Sequence, residues 1–462
     1  MKAVEELLLR LKPGKSAGID NLTPRLLKAS CSVLAGPITH LFCMSIEACK
    51  VPRQWKKALV IPLPKKKNPS LTDFRPISLL PIISKLLERL VLNSVKQDLL
   101  KLYGPNQFGF RPGSSTLHAH ISMHDFITSQ LEIDSTCGVA LIAFDLSKAF
   151  DRLSHCCLLR TLQNSQLPTN FVRWIRSFLD QRSQRVMFHG SRSDEEAKVT
   201  SGVPQGSILA PYLFAAHVGA LKPQLEQSLM IKYADDIVIL FPFKSTDELA
   251  DKYQKEFKHI DNWCAFNGLS LNTNKTNLLV FPKTSFASVP ENLNLHTNTT
   301  LKVLGMFFQD TLKWDKHTEH IVKSASRRIH ILRKLKQIPT VTKEDLVQIY
   351  HSFILGVLEY NCSVFVGINT KNSKKLEKVR RRCHNIICGF NCQCVLFPSL
   401  SSRREAIALR TFAKLTNPDN TLHRLFPPTL PRSKHLYVYP LRTERRAKSF
   451  VPFCTNLWNK QL

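Results

Sequence analysis

Short apolar stretches rich in β-branched residues alternate with amphipathic helical stretches in the middle of the chain. Two of them, 229–232 and 237–240, flank the tetrapeptide YADD at 233–236 and predict a β-hairpin with acids at its tip. A third stretch, 139–143, predicts a buried strand. Because strand and helix signals alternate from about residue 138 to 308, we expect an α+β domain there.

After Trp314 the apolar periodicity becomes helical. Residues 325–338 and 371–388 predict helices, and the second repeats apolar residues at i, i+3 and i+4. Its other side carries six cations, Lys374, Lys375, Lys378, Arg380, Arg381 and Arg382. A charged face is usually only solvated, but a face of one sign favours phosphate. Residues 401–462 hold twelve Lys or Arg against three Asp or Glu, with little periodicity, and predict a small basic appendage.

Charge adds to this picture. The 462 residues include 65 Lys or Arg and 35 Asp or Glu, a formal net charge of +30. This excess favours a polyanionic partner such as nucleic acid, and a membrane surface is the competing explanation. No apolar stretch approaches the roughly 20 residues that cross a bilayer, so no membrane partner is predicted. The sequence gives no indication of oligomeric state.

The thirteen cysteines follow no repeated spacing and predict reduced thiols in an intracellular protein. One cluster, Cys383, His384, Cys388, Cys392 and Cys394, contains zinc-ligand residue types. Its spacing matches no familiar zinc pattern, and Cys383 also falls on an apolar helical stripe. Packing is therefore the favoured interpretation of this cluster.

Carboxylates carry the candidate chemistry. Asp235 and Asp236 sit side by side in apolar surroundings, where like charges repel unless a cation compensates them. A divalent metal would do so, but an acidic β-turn explains the pair equally well. Asp145 follows the buried strand and either projects into a cleft or caps a helix. Asp151 is predicted to cap a helix over residues 152–162.

Two kinds of loop accompany these acids. Gln205 is flanked by Pro204 and Gly206 in SGVPQGS (201–207), which allows the backbone close to a ligand or forms an ordinary loop before a helix. Arg75 and Arg111 each lie in a proline-containing turn, where a guanidinium suits bidentate phosphate contact.

In this order, the motifs DFRPISLLP (73–81), QFGFRPGSST (107–116), AFDLSKAFD (143–151), SGVPQGSILAP (201–211), YADD and NTNKT (272–276) resemble the reverse transcriptase of non-LTR, LINE-like retrotransposons. The resemblance covers nearly the whole chain, and the order is more specific than any single motif. It implies a right-hand polymerase of class α+β, with fingers, a palm with an antiparallel sheet, a helical thumb and a small basic C-terminal region. The implied boundaries are 1–310 for fingers and palm (core about 45–310), 311–390 for the thumb and 391–462 for the basic region.

The resemblance also implies roles for single residues. Asp145 and Asp235 would be shared ligands of two Mg²⁺ ions, with Mn²⁺ as an alternative and the Leu146 carbonyl as an assisting ligand. The family motif includes Asp236, but neighbouring residues of a strand point to opposite faces, so we expect Asp236 to be the more peripheral ligand. Lys275 would protonate the leaving pyrophosphate, although a surface lysine explains it equally well. Implied nucleotide contacts are Arg75, Phe150, Gln205, Gly206 and one lysine of the run 65–67, among them Lys65, although a solvated loop explains these lysines equally well. From the charge pattern, the candidate nucleic-acid contacts are Arg111, Arg327, Arg328, Lys378 and Arg381. Phe150 matches the position that crowds a ribose 2′-hydroxyl; its alternative is core packing.

The implied activity is RNA-directed DNA polymerisation, with an RNA template, a DNA primer and dNTPs as partners. Alternatives are a catalytically inactive RNA-binding remnant and an intron maturase. Because no endonuclease motif accompanies the polymerase motifs, we expect a partial element compared with full-length relatives. The predicted location is intracellular, in the nucleus with a cytoplasmic phase.

Overall fold

The computed structural model describes residues 1–70, 73–283, 298–390, 397–431 and 433–461. Helices dominate these residues. In chain order they are α1 Lys2–Leu9, α2 Pro24–Ala29, α3 Cys31–Glu47, α4 Ile82–Lys101, α5 Thr116–Gln130, α6 Ala149–Arg152, α7 His155–Gln163, α8 Thr169–Leu179, α9 Ala210–Gly219, α10 Thr246–Phe266, α11 Asp315–Lys336, α12 Lys343–Ile349, α13 Gly356–Leu358, α14 Thr370–Cys388, α15 Leu400–Ala413, α16 Glu444–Ala447 and α17 Phe450–Asn459.

The strands are shorter and fewer. They are β1 Lys57–Pro64, β2 Phe74–Leu79, β3 Gly138–Asp145, β4 Arg182–Phe188, β5 Ser191–Arg192, β6 Ala197–Val199, β7 Leu229–Tyr233, β8 Asp236–Phe243, β9 Asn277–Pro282, β10 Thr300–Val303 and β11 Met306–Gln309. The predicted hairpin, the buried strand after residue 138 and the two helices after Trp314 are confirmed.

The chain divides into two compact units, each built from separate segments. Unit 1 comprises Met1–Phe110, Leu146–Lys222 and His259–Asn272. Its sheet has the order β2-β1-β4-β5, with β6 paired to β4. Strand β1 runs antiparallel to β2 and parallel to β4. Helix α4 packs against α9, which places the segment before α9 beside a buried face of α4.

Unit 2 comprises Arg111–Asp145, Pro223–Lys258 and Thr273–Leu462. Its antiparallel sheet has the order β7-β8-β3-β9. Side chains of β3 from Val139 to Ile142 are completely buried, and burial of each larger one contributes roughly 1.5–3 kcal/mol. This continuous apolar strand anchors the acid at its carboxyl end, Asp145.

In unit 2, helices α11 and α14 pack against each other through their apolar faces. The predicted stripe on α14 is confirmed for Leu376, Val379, Cys383 and Ile387, which are buried. The low periodicity after residue 400 predicted no helix there, whereas in the structure α15 and α17 pack together and both α16 and α17 contact α5. The apolar periodicity of α15 is difficult to recognise in the sequence, because basic residues separate its few apolar positions.

The α+β class is confirmed by the helices and the antiparallel sheet of the described chain. Among the described residues, no helix combines the length and the hydropathy needed to cross a membrane. The boundaries at 310 and 390 stay predictions, since the compact units follow a different, discontinuous division.

Candidate active site

The hairpin of β7 and β8 presents the adjacent acids of unit 2. Tyr233 and Asp236 are the last paired residues, so Ala234 and Asp235 form a two-residue turn. Ala234 has a φ of 58°, a conformation that costs a residue with a Cβ roughly 1 kcal/mol or more. Both acids are exposed. The predicted β-turn and the predicted acidic site are therefore the same segment. The paired strands on either side keep Ala234 in its strained conformation.

Asp145 lies directly opposite Asp236 in the pairing of β3 with β8. Opposite residues of an antiparallel pair project from the same face of the sheet. Two carboxylates in this arrangement repel each other, which destabilises the sheet unless a cation lies near them. The sheet register thus brings together two of the three predicted acids, while Asp235 lies on the turn beside them.

Lys275 provides one cation for this group. Its Nζ lies 3.4 Å from Asp145 Oδ2. The lysine side chain is 66% exposed and that of Asp145 41%, so the ion pair contributes at most about 1 kcal/mol. The lysine nevertheless contacts a predicted catalytic acid rather than solvent alone.

The donor set of this face suits magnesium. Among the described residues, no group of three or more His, Cys, Asp or Glu side chains is arranged to hold a metal ion by itself. Magnesium in proteins keeps several waters and takes one or two carboxylates together with substrate phosphates. Asp145, Asp235 and Asp236 supply hard oxygens with the exposure that this coordination requires. Leu146, the predicted backbone ligand, is buried in unit 1 and forms a bridge with Leu271.

In unit 1 the loop with Gln205 holds the backbone around Phe150. Val203 N donates to Phe150 O at 2.7 Å, and Gly202 N donates to Leu153 O at 2.8 Å. A Cβ on Gly202 would lie 2.6 Å from Phe150 O, at a φ of +80°. The predicted close approach at this loop is therefore to the protein's own backbone.

The Phe150 ring is half-buried and fixed by two aromatic neighbours. It stacks on Phe214 with a centroid distance of 4.4 Å and meets the edge of Phe110 at 6.2 Å. Phe150 can therefore both pack in the core and crowd a ribose 2′-hydroxyl (the role called the gate below), because the packed ring is still partly exposed.

Asp151 has a different role from the predicted helix cap. The following helix begins at His155, and Ser154 caps it by accepting a hydrogen bond from Cys157 N at 3.4 Å. Asp151 instead accepts a hydrogen bond from Gln205 Nε2 at 2.9 Å. Burial raises the pKa of the Asp151 carboxyl, although the bond from Gln205 opposes this shift. The pairing of Asp151 with Gln205 was missed because nothing in either motif indicates that the two loops meet.

The predicted phosphate-binding cations of unit 1 lie on and beside β2. Arg75 is exposed and stands opposite Leu63 of β1, and Lys65 begins the turn after β1. Neighbouring Lys66 forms an ion pair with Asp73 at 2.8 Å, and this hydrogen bond lowers the pKa of the Asp73 carboxyl. Since Lys66 is already paired, Lys65 is the better candidate of the two for a phosphate.

The predicted nucleic-acid contacts of unit 2 differ in availability. Arg327, Lys378 and Arg381 are exposed. Arg328 instead lies over the Phe353 ring at 4.5 Å and donates to the Phe353 carbonyl. Arg111 is half-buried in its turn. The prediction that the charged face of α14 carries charges of one sign is wrong. Two of its cations pair with acids, Lys375 with Glu319 and Arg380 with Glu377.

The cysteine cluster is not assembled as a metal site in the described chain. Cys383 is completely buried on the apolar stripe of α14, and burial raises the pKa of its thiol to about 11. A protonated, buried thiol is a poor metal ligand. Cys392 and Cys394 lie outside the described residues.

Comparisons with known proteins identify the family to which the chain belongs. Residues 63–308 match the family model described as "Reverse transcriptase (RNA-dependent DNA polymerase)". The chain is 28% identical over 398 residues to the "RNA-directed DNA polymerase from mobile element jockey" of Drosophila melanogaster, covering 82% of this chain and 42% of that protein.

A second similar protein is the "Probable RNA-directed DNA polymerase from transposon X-element" of Drosophila melanogaster, 25% identical over 84% of this chain and 43% of that protein. The chain thus spans less than half the length of these relatives. Among solved structures, telomerase from Candida albicans is similar with a TM-score of 0.41 and 13% identity, over 84% of this chain and 67% of that chain.

Proposed function

The chain belongs to the reverse transcriptase (RNA-dependent DNA polymerase) family, and from this premise we propose that it extends a primer 3′-hydroxyl with deoxynucleotides on an RNA template. The predicted resemblance and the right-hand polymerase fold class are confirmed. One observation carries the proposal of activity: Asp145 stands opposite Asp236 on one face of the sheet, beside the turn that holds Asp235.

In this reaction the primer 3′-hydroxyl loses its proton to water and its oxygen bonds to the α-phosphorus of the dNTP, while the bond from that phosphorus to the leaving pyrophosphate breaks. Asp145 and Asp235 are the proposed principal holders of Mg²⁺, with Asp236 more peripheral. Bound there, Mg²⁺ would make the hydroxyl a better nucleophile and neutralise charge on the phosphates. Lys275, held beside Asp145, is proposed to give a proton to the departing pyrophosphate.

The remaining proposed roles concern substrate placement. Arg75 and Lys65 would contact the triphosphate as cations, and Gln205 and Gly206 would line the nucleotide and template pocket. The ring of Phe150, packed on Phe214, would exclude a ribose 2′-hydroxyl, because a fixed ring cannot move aside. A nuclear location with a cytoplasmic phase stays a prediction.

Primer extension tests the function and the gate together. We expect the purified chain to extend a DNA primer on an RNA template with dNTPs and Mg²⁺, and Asp235→Asn to fail. Phe150→Val should raise the use of rNTPs relative to dNTPs at least about tenfold, since it removes a steric block. Phe110→Val, which removes the edge contact of Phe150 but leaves the ring stacked on Phe214, is the matched control and should leave this ratio within about threefold.

Equal extension by the unaltered protein and by Asp235→Asn would contradict the metal assignment. No extension by either, with tight and salt-sensitive RNA binding, would instead favour the RNA-binding remnant. An unchanged ratio of rNTP to dNTP use in a folded Phe150→Val protein would contradict the gate.

The exposed cations of α11 and α14 are proposed to contact the nucleic-acid backbone. The double variant Lys378→Gln, Arg381→Gln should weaken binding and reduce the slope of log affinity against log salt by about 1.5, since each lost phosphate contact removes about 0.7–0.9. Lys375→Gln on the same helix is the control, because its ammonium already pairs with Glu319. Equal slopes in filter-binding titrations of the double variant and the control would contradict the assignment.

A further inference from the structure

One acid of unit 1, Glu88, is buried in a helix that carries none of the sequence motifs. Glu88 of α4 is completely buried, on the same helical face as Ser84, Val91 and Val95. A buried carboxylate is strongly destabilising unless hydrogen-bond donors or a cation compensate it. Burial raises the pKa of the Glu88 carboxyl, and its donors oppose that shift. Such a costly residue on a packing face needs a specific partner.

The partners of Glu88 belong to one short segment of the Gln205 loop. A single oxygen, Oε2, accepts hydrogen bonds from Ser207 Oγ at 2.5 Å, from Ile208 N at 2.8 Å and from Leu209 N at 3.1 Å. These donors immediately precede α9, so the carboxylate also compensates amides that begin that helix. Glu88 therefore joins α4 to the residues that directly follow Gly206.

The other end of this segment is fixed independently. Ser78 N donates to Gln205 O at 2.7 Å, and Gln205 Nε2 donates to Asp151. A Cβ on Gly206 would lie only 2.3 Å from Ser78 O, at a φ of +138°. The backbone of Gln205 is thus held by Ser78 of β2 and its side-chain amide by Asp151. Glu88 holds the residues that follow Gly206 in the chain.

Buried Arg182 provides the nearby positive charge. It is 3% exposed and donates to Phe178 O at 3.0 Å. Burial lowers the pKa of Arg182 to about 10, while the Glu88 carboxylate opposes this shift. Each charge favours the ionised form of the other, and this attraction opposes the effect of burial on both groups.

We propose that Glu88 is a positioning residue that holds the Gln205 loop in the conformation that receives the incoming nucleotide. This inference rests on the proposed function. Glu88 acts through Ser207, Ile208 and Leu209 and touches no substrate itself. Since a misplaced loop weakens the ground state and the transition state equally, its loss should affect KM for dNTPs more than kcat.

The experiment is steady-state primer extension with Glu88→Gln. The amide keeps the size of the side chain but replaces the carboxyl group that accepts the three hydrogen bonds. We expect KM for dNTPs to rise about tenfold, equivalent to about 1.4 kcal/mol, and kcat to change less than about threefold. Asp98→Asn makes the same acid-to-amide change on the same helix, where Asp98 pairs with exposed Lys101, and should leave KM unchanged.

Ser207→Ala removes one donor without a buried charge change and should raise KM about threefold. It decides the matter if Glu88→Gln does not fold. A folded Glu88→Gln protein with a lowered Tm and an unaltered KM would overturn the inference and leave Glu88 a purely stabilising residue. Failure of the unaltered protein to extend any primer would overturn the proposed function, and this inference with it.

Discussion

Asp145→Asn is expected to lower the rate of single-nucleotide addition at least about a thousandfold, which corresponds to about 4 kcal/mol of transition-state stabilisation. The amide keeps the shape of the side chain but is a weak ligand for magnesium, which prefers anionic oxygens. Single-turnover extension measures the loss without interference from product release.

The same substitution should leave the fold intact. The Asp145 side chain is 41% exposed and pairs only weakly with Lys275. It also stands opposite Asp236, so removing its charge relieves repulsion that costs roughly 0.2–1 kcal/mol. We therefore expect Asp145→Asn to match or slightly exceed the unaltered protein in Tm when EDTA is present. A protein that gains stability while losing activity identifies a carboxylate kept for chemistry.

Magnesium provides a readout that does not depend on turnover. Mg²⁺ should raise the Tm of the unaltered protein, because a ligand that binds the folded state stabilises it, and should raise the Tm of Asp145→Asn less. Near-equal extension rates, or identical Mg²⁺ shifts in Tm, would contradict the role of Asp145.

Asp235→Asn should match Asp145→Asn in the same assay, and Asp236→Asn should lose less activity. This ranking comes from the sequence, where the two neighbours were expected to alternate along a strand. In the structure only Asp236 belongs to the strand, whereas Asp235 lies in the turn after strained Ala234. A larger loss for Asp236→Asn would show that the strand position opposite Asp145 is the principal one.

Acidification from pH 7.5 to 5.5 is expected to destabilise unit 2 by on the order of 4 kcal/mol. Three buried histidines cause this effect. Burial lowers the pKa of His120 to about 4 and that of both His124 and His317 to about 3. The contacts of His120 show why: its Nε2 is bonded to Val303 O and its Nδ1 faces the Asn361 amide nitrogen, a donor.

The sign follows from proton uptake. Unfolded histidines have pKa values near 6.5, so between that pH and the folded values the unfolded chain binds more protons. Stability is therefore fully present above about pH 6.5 and is lost as the pH falls toward 4. A positive neighbour adds to the effect of burial at His124, because the Arg446 guanidinium also lowers the pKa of that imidazole.

Urea unfolding at several pH values measures this dependence. His124→Phe keeps a ring against Trp314, which lies 5.4 Å from the histidine ring, and should remove about one third of the pH-dependent slope. His40→Gln replaces an exposed histidine and should leave the slope unaltered. An identical slope in His124→Phe and the unaltered protein would show that these histidines are not responsible.

Local patterns predicted the parts of the site that depend on local structure. The hairpin around YADD, the strand before Asp145 and the stripe of α14 each follow from periodicity within one short segment. The register of β3 with β8 and the bond from Gln205 to Asp151 could not be predicted this way, because each joins segments far apart in the chain. Glu88 did leave a signal, an acid on the apolar stripe of a helix, but its partners lie 119–121 residues away.

The order of strands β7-β8-β3-β9 has a consequence for synthesis of the chain. Strand β3 ends at Asp145, whereas β8, its first partner to be made, begins at Asp236. At roughly 5–20 residues per second, the ribosome needs roughly 5–20 seconds to make the residues between them. During that interval the apolar strand β3 has no neighbour in its own sheet. The sheet that carries the acids therefore cannot form until β8 has been made, and faster synthesis of the intervening residues shortens the time in which β3 is open to aggregation.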